Sequence, residues 1–122
     1  MSRIYLSPPH LDGRERDLLI EAYESNWITT LGPQVDALEE EFCKKISVKH
    51  ATALASGTAA LHLALLMLGV KRGDVVLCSG LTFAASANAI CYCGAESVFI
   101  DSERSTWKHG PWAFGERIRC LR

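Results

Sequence analysis

Twice along this chain a short apolar run ends in a Ser/Gly break and passes into a longer apolar stretch, and that grammar leaves few folds open. Residues 51–55 are apolar, Ser56-Gly57-Thr58 interrupts them, and residues 59–68 are apolar almost all round. Residues 74–78 are rich in β-branched side chains, Ser79-Gly80 follows, residues 82–93 read as a helix, and residues 97–101 form another β-branched run. Short strands alternating with helices demand parallel pairing, because each crossover helix returns the chain to the same end of the sheet. The fold class expected is therefore α/β, with three strands alternating with helices and the sheet covered on both faces. The helix over 59–68, apolar on every side, is expected to be buried.

Upstream of this repeat lie two helices of a different kind. Asp12-Gly13-Arg14-Glu15 has capping-box spacing, and Leu19, Tyr23 and Trp27 follow at helical intervals, so a helix is expected over 12–25. Gly32-Pro33 opens a second helix whose Val35, Leu38, Phe42 and Ile46 form one apolar stripe, with acids preceding Lys44 and Lys45 along the helix dipole. Beyond Trp107 neither period persists, and residues 108–122 are expected to be an irregular tail separate from the 1–107 domain.

Charge and composition remove several function classes. The 122 residues are 48% hydrophobic and 22% charged with a net charge of −1, a profile of globular rather than disordered protein. Lys and Arg are scattered, so no basic stripe marks a nucleic-acid or anionic-membrane partner. The longest apolar run is too short to cross a bilayer and no signal-peptide pattern opens the chain, which makes the cytoplasm the expected location. Five cysteines include a Cys91-x-Cys93 pair, one residue short of metal or redox spacing. Cys43, Cys78, Cys91 and Cys93 lie in apolar stretches and are expected to act as small buried hydrophobes. His10, His50 and His62 share no metal-ligand spacing, so no metal is expected.

In open parallel sheets ligands collect at the carboxyl ends of strands, which here carry Ser56-Gly57-Thr58-Ala59, then Thr82-Phe83, then Asp101. Gly57 permits close approach of backbone to ligand, Ser56 and Thr58 offer hydroxyls, and the free N–H groups of the following helix favour a phosphate. On spacing alone the same Ser-Gly-Thr is explained as an N-cap, and Phe83 as core packing. No P-loop lysine pattern and no Gly-x-Gly-x-x-Gly is present. Asp101 can accept a hydrogen bond from a ligand or cap the next turn. Trp27-Ile28-Thr29-Thr30 reads as a turn that serves equally as substrate edge, dimer contact or connector.

The order of these segments resembles a known family, the DegT/StrS nucleotide-sugar aminotransferases, which are pyridoxal-phosphate enzymes of the aspartate-aminotransferase fold. The likeness runs through Ile4-Tyr5-Leu6-Ser7, Trp27-Ile28-Thr29-Thr30-Leu31-Gly32-Pro33, Leu38-Glu39-Glu40-Glu41-Phe42, Ala53-Leu54-Ala55-Ser56-Gly57-Thr58-Ala59-Ala60-Leu61-His62, Gly73-Asp74-Val75-Val76, Leu81-Thr82-Phe83-Ala84-Ala85-Ser86 and Val98-Phe99-Ile100-Asp101. It implies part of an aspartate-aminotransferase-like (type I) large domain. It places cofactor-phosphate contacts on Gly57, Thr58 and Ala59, stacking against the pyridine ring on Phe83, and weaker substrate-side contacts on Thr29 and Thr30. Homodimers are implied, with an amino acid, glutamate, as donor and a keto-sugar nucleotide as acceptor.

The family's Schiff-base lysine and the aspartate that pairs with the pyridine nitrogen come from later strands, and Lys44, Lys45, Lys49 and Lys71 match neither lysine nor aspartate position. No catalytic residue is therefore expected among these 122 residues. The alternative expectation is a non-catalytic phosphate-binding or dimer-forming module that pairs with a full-length relative. Encoded as CAT-GGA-CCC, His109-Gly110-Pro111 reads Met-Asp-Pro one base along, and the family often carries Asn-x-Asp-Pro there. A one-base frameshift after Trp107 is thus the expected cause of the tail, which resequencing of the locus checks.

Overall fold

The computed structural model describes residues 7–107, so the tail at 108–122 and the Ile4-Tyr5-Leu6 segment lie outside the described residues. Two compact units divide the chain, Met1–Ala53 and Leu54–Arg122.

The first unit carries α1 (Arg14–Glu24) and α2 (Pro33–Ile46). At the start of α1 the Glu15 carboxylate accepts from the backbone N–H groups of Asp12 (3.2 Å) and Gly13 (2.9 Å), and Asp12 Oδ1 accepts from Arg14 N at 3.0 Å. Half of the expected capping box is thus present, the reach back from Glu15; the helix begins at Arg14 rather than Asp12, with Gly13 (φ 103°) as an N-cap that makes no side-chain cap bond, and Asp12 accepts from Arg14 rather than Glu15. The helix stops because Asn26 takes the left-handed conformation, φ 60°. Asn26 N then bonds Tyr23 O (3.2 Å) and Trp27 N bonds Ala22 O (3.1 Å), the paired closure of a Schellman motif. Pro33 starts α2 at a position where its missing N–H costs nothing. Gln34 Nε2 donates to Leu18 O at 2.7 Å and ties the two helices together, and Glu39 Oε1 accepts from Ala53 N at 2.8 Å. The apolar stripe on α2 is present but half exposed, with Leu38, Phe42 and Ile46 between 50 and 57% accessible.

The second unit contains α3 (Gly57–Met67), β1 (Val75–Ser79), α4 (Ala84–Tyr92) and β2 (Glu96–Ile100). The two strands pair in parallel, Val75 opposite Glu96 through Ser79 opposite Ile100, with α4 as the crossover. Backbone bonds close both ends of this pairing: Glu96 N to Asp74 O and Gly80 N to Ile100 O, each 2.9 Å. The core is small, comprising Cys78, Ala89, Ile90, Ala95 and Ile100. Alanines on α4 let it approach the sheet closely, and Ala89 is fully covered. Both helices end on a left-handed glycine, Gly69 (φ 79°) and Gly94 (φ 75°). These stops bend Val70 N to Leu65 O (3.0 Å) and Ala95 N to Ile90 O (3.3 Å), so the residue after each glycine packs into the same core cluster.

The α/β class expected from the sequence is what forms, but two of the three expected strands are present. Residues 51–55 are not a strand, because a strand exists only through bonds to a neighbour and no described segment pairs with them. Ala53 N–H is held by the Glu39 carboxylate instead. The helix expected to be buried is also open: α3 has no buried residue, and Leu61, Leu63, Leu66 and Met67 are 42–81% exposed. Its periodicity reports the environment it suits, while no described element covers its outer side. Of the described cysteines, Cys78 is buried, Cys43 and Cys93 are half-buried, and Cys91, whose Sγ lies 4.0 Å from Ser97 Oγ on β2, is exposed. Among the described residues no three His, Cys, Asp or Glu side chains gather as a metal site. No described helix is long and apolar enough to cross a membrane.

Candidate functional site

The second unit brings together most of the residues that the sequence singled out. Ser56 is extended (φ −163°, ψ 159°) and its Oγ accepts from Ala59 N at 3.2 Å, so it is a true N-cap of α3. Ser56 O accepts from Ala60 N at 3.1 Å and begins the helical ladder. That leaves the N–H groups of Gly57 and Thr58 without an acceptor among the described residues, at the positive end of an 11-residue helix. The Thr58 hydroxyl also makes no hydrogen bond there. A Cβ added at Gly57 would meet nothing within 4 Å, and Gly57 does not adopt a positive φ. The chain therefore has no internal need for glycine at this position, and the space above the turn is open to a ligand.

Capping and anion binding, which compete as explanations on sequence alone, thus occupy different atoms. Ser56 satisfies one N–H and two remain. The residues present fit a phosphate: two or three converging amide donors, a hydroxyl at Thr58, and clearance where a side chain would stand. Ala59 differs from its neighbours, since its N–H is already engaged and reaches an anion only by exchange with the Ser56 hydroxyl.

Phe83 is the N-cap of α4, placed directly after the carboxyl end of β1, and it is 88% exposed. An aromatic ring that open takes no part in the described core. Behind it, Thr82 Oγ1 and Ser86 Oγ lie 2.9 Å apart across the first turn of α4, and Ser79 Oγ donates to Leu81 O at 3.2 Å. Helices α3 and α4 pack on one another, with His62 and Tyr92 meeting edge to face at a centroid separation of 5.5 Å. Asp101 follows β2 and its Oδ1 accepts from Ser102 N at 2.9 Å. That bond is to the adjacent residue and leaves both roles open to Asp101 unfilled among the described residues.

Thr29 and Thr30 belong to the first unit. Thr29 lines a cleft of about 250 Å³ with Glu21, Ser25, Trp27, Gly32 and Gln34, whereas Thr30 is not among its lining residues. The floor of this cleft was not evident from the sequence. Gly32 is buried at φ 137°, and a Cβ there would lie 3.0 Å from the Trp27 ring, so Trp27 packs where only glycine fits. The signal available was the pairing of a large aromatic with a Gly-Pro five residues on, which admits several other readings.

The chain matches the DegT/DnrJ/EryC1/StrS aminotransferase family over residues 9–119, a span that runs past Trp107. It is 54% identical over 111 residues to EpsN of Bacillus subtilis (strain 168), named as a pyridoxal phosphate-dependent aminotransferase, covering 91% of this chain and 29% of that protein. The GDP-perosamine synthase of Caulobacter vibrioides is 42% identical over 107 residues, covering 88% of this chain and 29% of that one. Among solved structures, a protein described as a sugar aminotransferase from Streptococcus pneumoniae, in its PLP form, gives a TM-score of 0.85 at 30% identity, covering 94% of this chain and 29% of the other. The chain thus spans under a third of the length of these relatives.

Proposed function

Because the chain belongs to the DegT/DnrJ/EryC1/StrS aminotransferase family, we propose that it supplies the phosphate cradle and ring-stacking face of a pyridoxal-phosphate aminotransferase acting on keto-sugar nucleotides. The amino donor in this reading is an amino acid, glutamate, and the setting is cytoplasmic. The single observation that carries the proposal is the start of α3, where Gly57 and Thr58 present unbonded N–H groups beside open space.

Bound there, pyridoxal phosphate would supply the electron-withdrawing ring on which an amino group is carried between substrates. The residues of this chain bind and orient it. The amides of Gly57 and Thr58, with the Thr58 hydroxyl and the exchangeable Ala59 amide, hold the phosphate dianion, aided by the helix dipole. The exposed ring of Phe83 covers one face of a flat heterocycle. Thr29, on its cleft, and Thr30 take the substrate side, and the working assembly is a homodimer.

The 122 residues by themselves are not expected to turn over, since none of Lys44, Lys45, Lys49 and Lys71 corresponds to the family's reactive lysine and a proton-transferring group is needed at the substrate carbon. The test is a titration of the chain with pyridoxal phosphate, read by absorbance before and after borohydride, followed by intact mass. Expected is saturable binding that inorganic phosphate competes away, that weakens about tenfold in Gly57→Val, and that leaves no borohydride-fixed adduct on one lysine. An affinity unchanged in both Gly57→Val and Thr58→Ala would overturn the cradle, and a stoichiometric adduct on one lysine would overturn the inactivity.

A further inference from the structure

Three glutamates stand in a row on α2, and they do unlike things. Glu40 pairs with Lys44 one turn on, 2.7 Å apart, with the two side chains 69 and 70% exposed. Glu41 is exposed as well, and Glu39 alone of the three is half-buried. Its Oε1 accepts from the N–H of Ala53 at 2.8 Å, 14 residues further along the chain.

The path between them doubles back. Ser47 takes the left-handed conformation (φ 57°) and Val48 N bonds Cys43 O at 3.1 Å, so α2 stops and the chain turns. A helix rises about 1.5 Å per residue, which puts Glu39 roughly 10 Å behind Ile46, and the returning chain covers about two helical turns before Ala53 is caught. Along that return, residues 49–55 make no other hydrogen bond among the described residues. The one bond that holds the segment thus comes from a side chain, and a carboxylate on an N–H is the stronger kind.

Three residues after Ala53 stands Ser56, whose cap starts α3 and leaves the Gly57 and Thr58 N–H groups open. With the Glu39 bond in place, the free run before this cap is Leu54-Ala55; without it, the free run reaches back to residue 49. An anion that settles on the cradle then has to order the longer run, and that cost is taken from its affinity.

We propose that Glu39 is a positioning residue for the phosphate cradle: by holding Ala53 N–H it fixes the chain that enters the Ser56-Gly57-Thr58 turn. The inference rests on the functional reading above and names the group that preorganises its site. Glu39→Ala isolates this role. Ala53 is exposed, so water takes over its N–H, and alanine is the best helix former, so α2 is not weakened.

The experiment titrates the 122-residue chain and its Glu39→Ala, Glu39→Gln and Glu40→Ala variants with inorganic phosphate and with pyridoxal phosphate by calorimetry, and follows exchange of the Ala59 amide by nuclear magnetic resonance. Glu39→Ala is expected to weaken both ligands about tenfold and to speed Ala59 exchange, with helicity by circular dichroism unchanged. Glu39→Gln, which keeps an acceptor oxygen, is expected to restore affinity to within about twofold of the parent, and Glu40→Ala to bind as the parent does. A purely structural loss would lower helicity and would not be rescued by glutamine. The proposal is overturned if Glu39→Ala binds as tightly as the parent, if Glu39→Gln is as weak as Glu39→Ala, or if Glu40→Ala loses as much. A parent chain that binds neither ligand overturns the functional reading instead; Ala59 exchange then still decides the tether, which falls if Glu39→Ala leaves that exchange unmoved.

Discussion

At Gly57 the chain has room for a methyl group and no conformational reason to refuse one, which makes this residue the sharpest pointer to a ligand in the molecule. The sequence placed a glycine between two hydroxyl residues but left open whether a cap or an anion explained it; the Ser56 cap forms, and the Gly57 and Thr58 N–H groups stay available among the described residues. Phe83 was equally ambiguous on paper, since aromatics after strands are mostly packed, and its exposure depends on what surrounds it. The Glu15 cap was legible from spacing alone, and it carries a pH dependence. Backbone N–H groups, of Glu15 itself and then of Asp12, hold its carboxyl below the ordinary 4.5. A lowered folded-state value means the contribution is present above the unfolded pKa and is lost as pH falls through the lowered one. Nuclear magnetic resonance titration of the Glu15 side chain is expected to show a midpoint under 4.5, with the first turn of α1 fraying as the carboxylate protonates. A midpoint at or above 4.5 would mean the capping contact is not held in solution.

Elements follow the sequence closely where their causes are local. α1 and α2 begin at the Glu15 cap and at Pro33, and β1 and β2 coincide with the Val75-Val76 and Val98-Phe99-Ile100 runs. Helix ends were less sharply read, because Gly69 and Gly94 act through bonds spanning five residues rather than through local propensity. Residues 51–55 were misjudged for a different reason: alanine-rich and lacking β-branched side chains other than Thr52, they need a partner strand to become one, and sequence adjacency supplies none. Helix α4 is where packing is least forgiving. Ala89 is fully covered, so Ala89→Leu forces extra methylenes into a closed space, at a cost of about 1–3 kcal/mol. Urea denaturation followed by circular dichroism should show an earlier midpoint for that variant than for Asn88→Leu, one residue round the helix and exposed. Equal midpoints would show that α4 is not seated as described.

For the molecule as a whole, the sequence conveyed which surfaces are apolar but could not convey which are covered, since covering is a property of neighbours. The described residues bury five side chains as a core while Leu61, Leu66, Met67, Leu68 and Phe83 remain largely open, with Leu19, Tyr23 and Phe42 likewise exposed in the first unit. Open apolar surface on this scale, with unpaired strand edges, favours self-association over a cooperative monomer. The isolated chain is expected to melt broadly and irreversibly in scanning calorimetry, and a sharp, reversible transition of monomeric protein would contradict this. The crossover between β1 and β2 is the exception to that looseness. It is clasped at one end by Glu96 N–H on Asp74 and at the other by Gly80 N–H on Ile100, with Ile90 and Ala95 held between. Such a clasp opens as a unit or not at all, so in deuterium exchange the interstrand amides of β1 and β2 should gain mass together in one slow step, while those of α3 exchange piecemeal from the end at Met67.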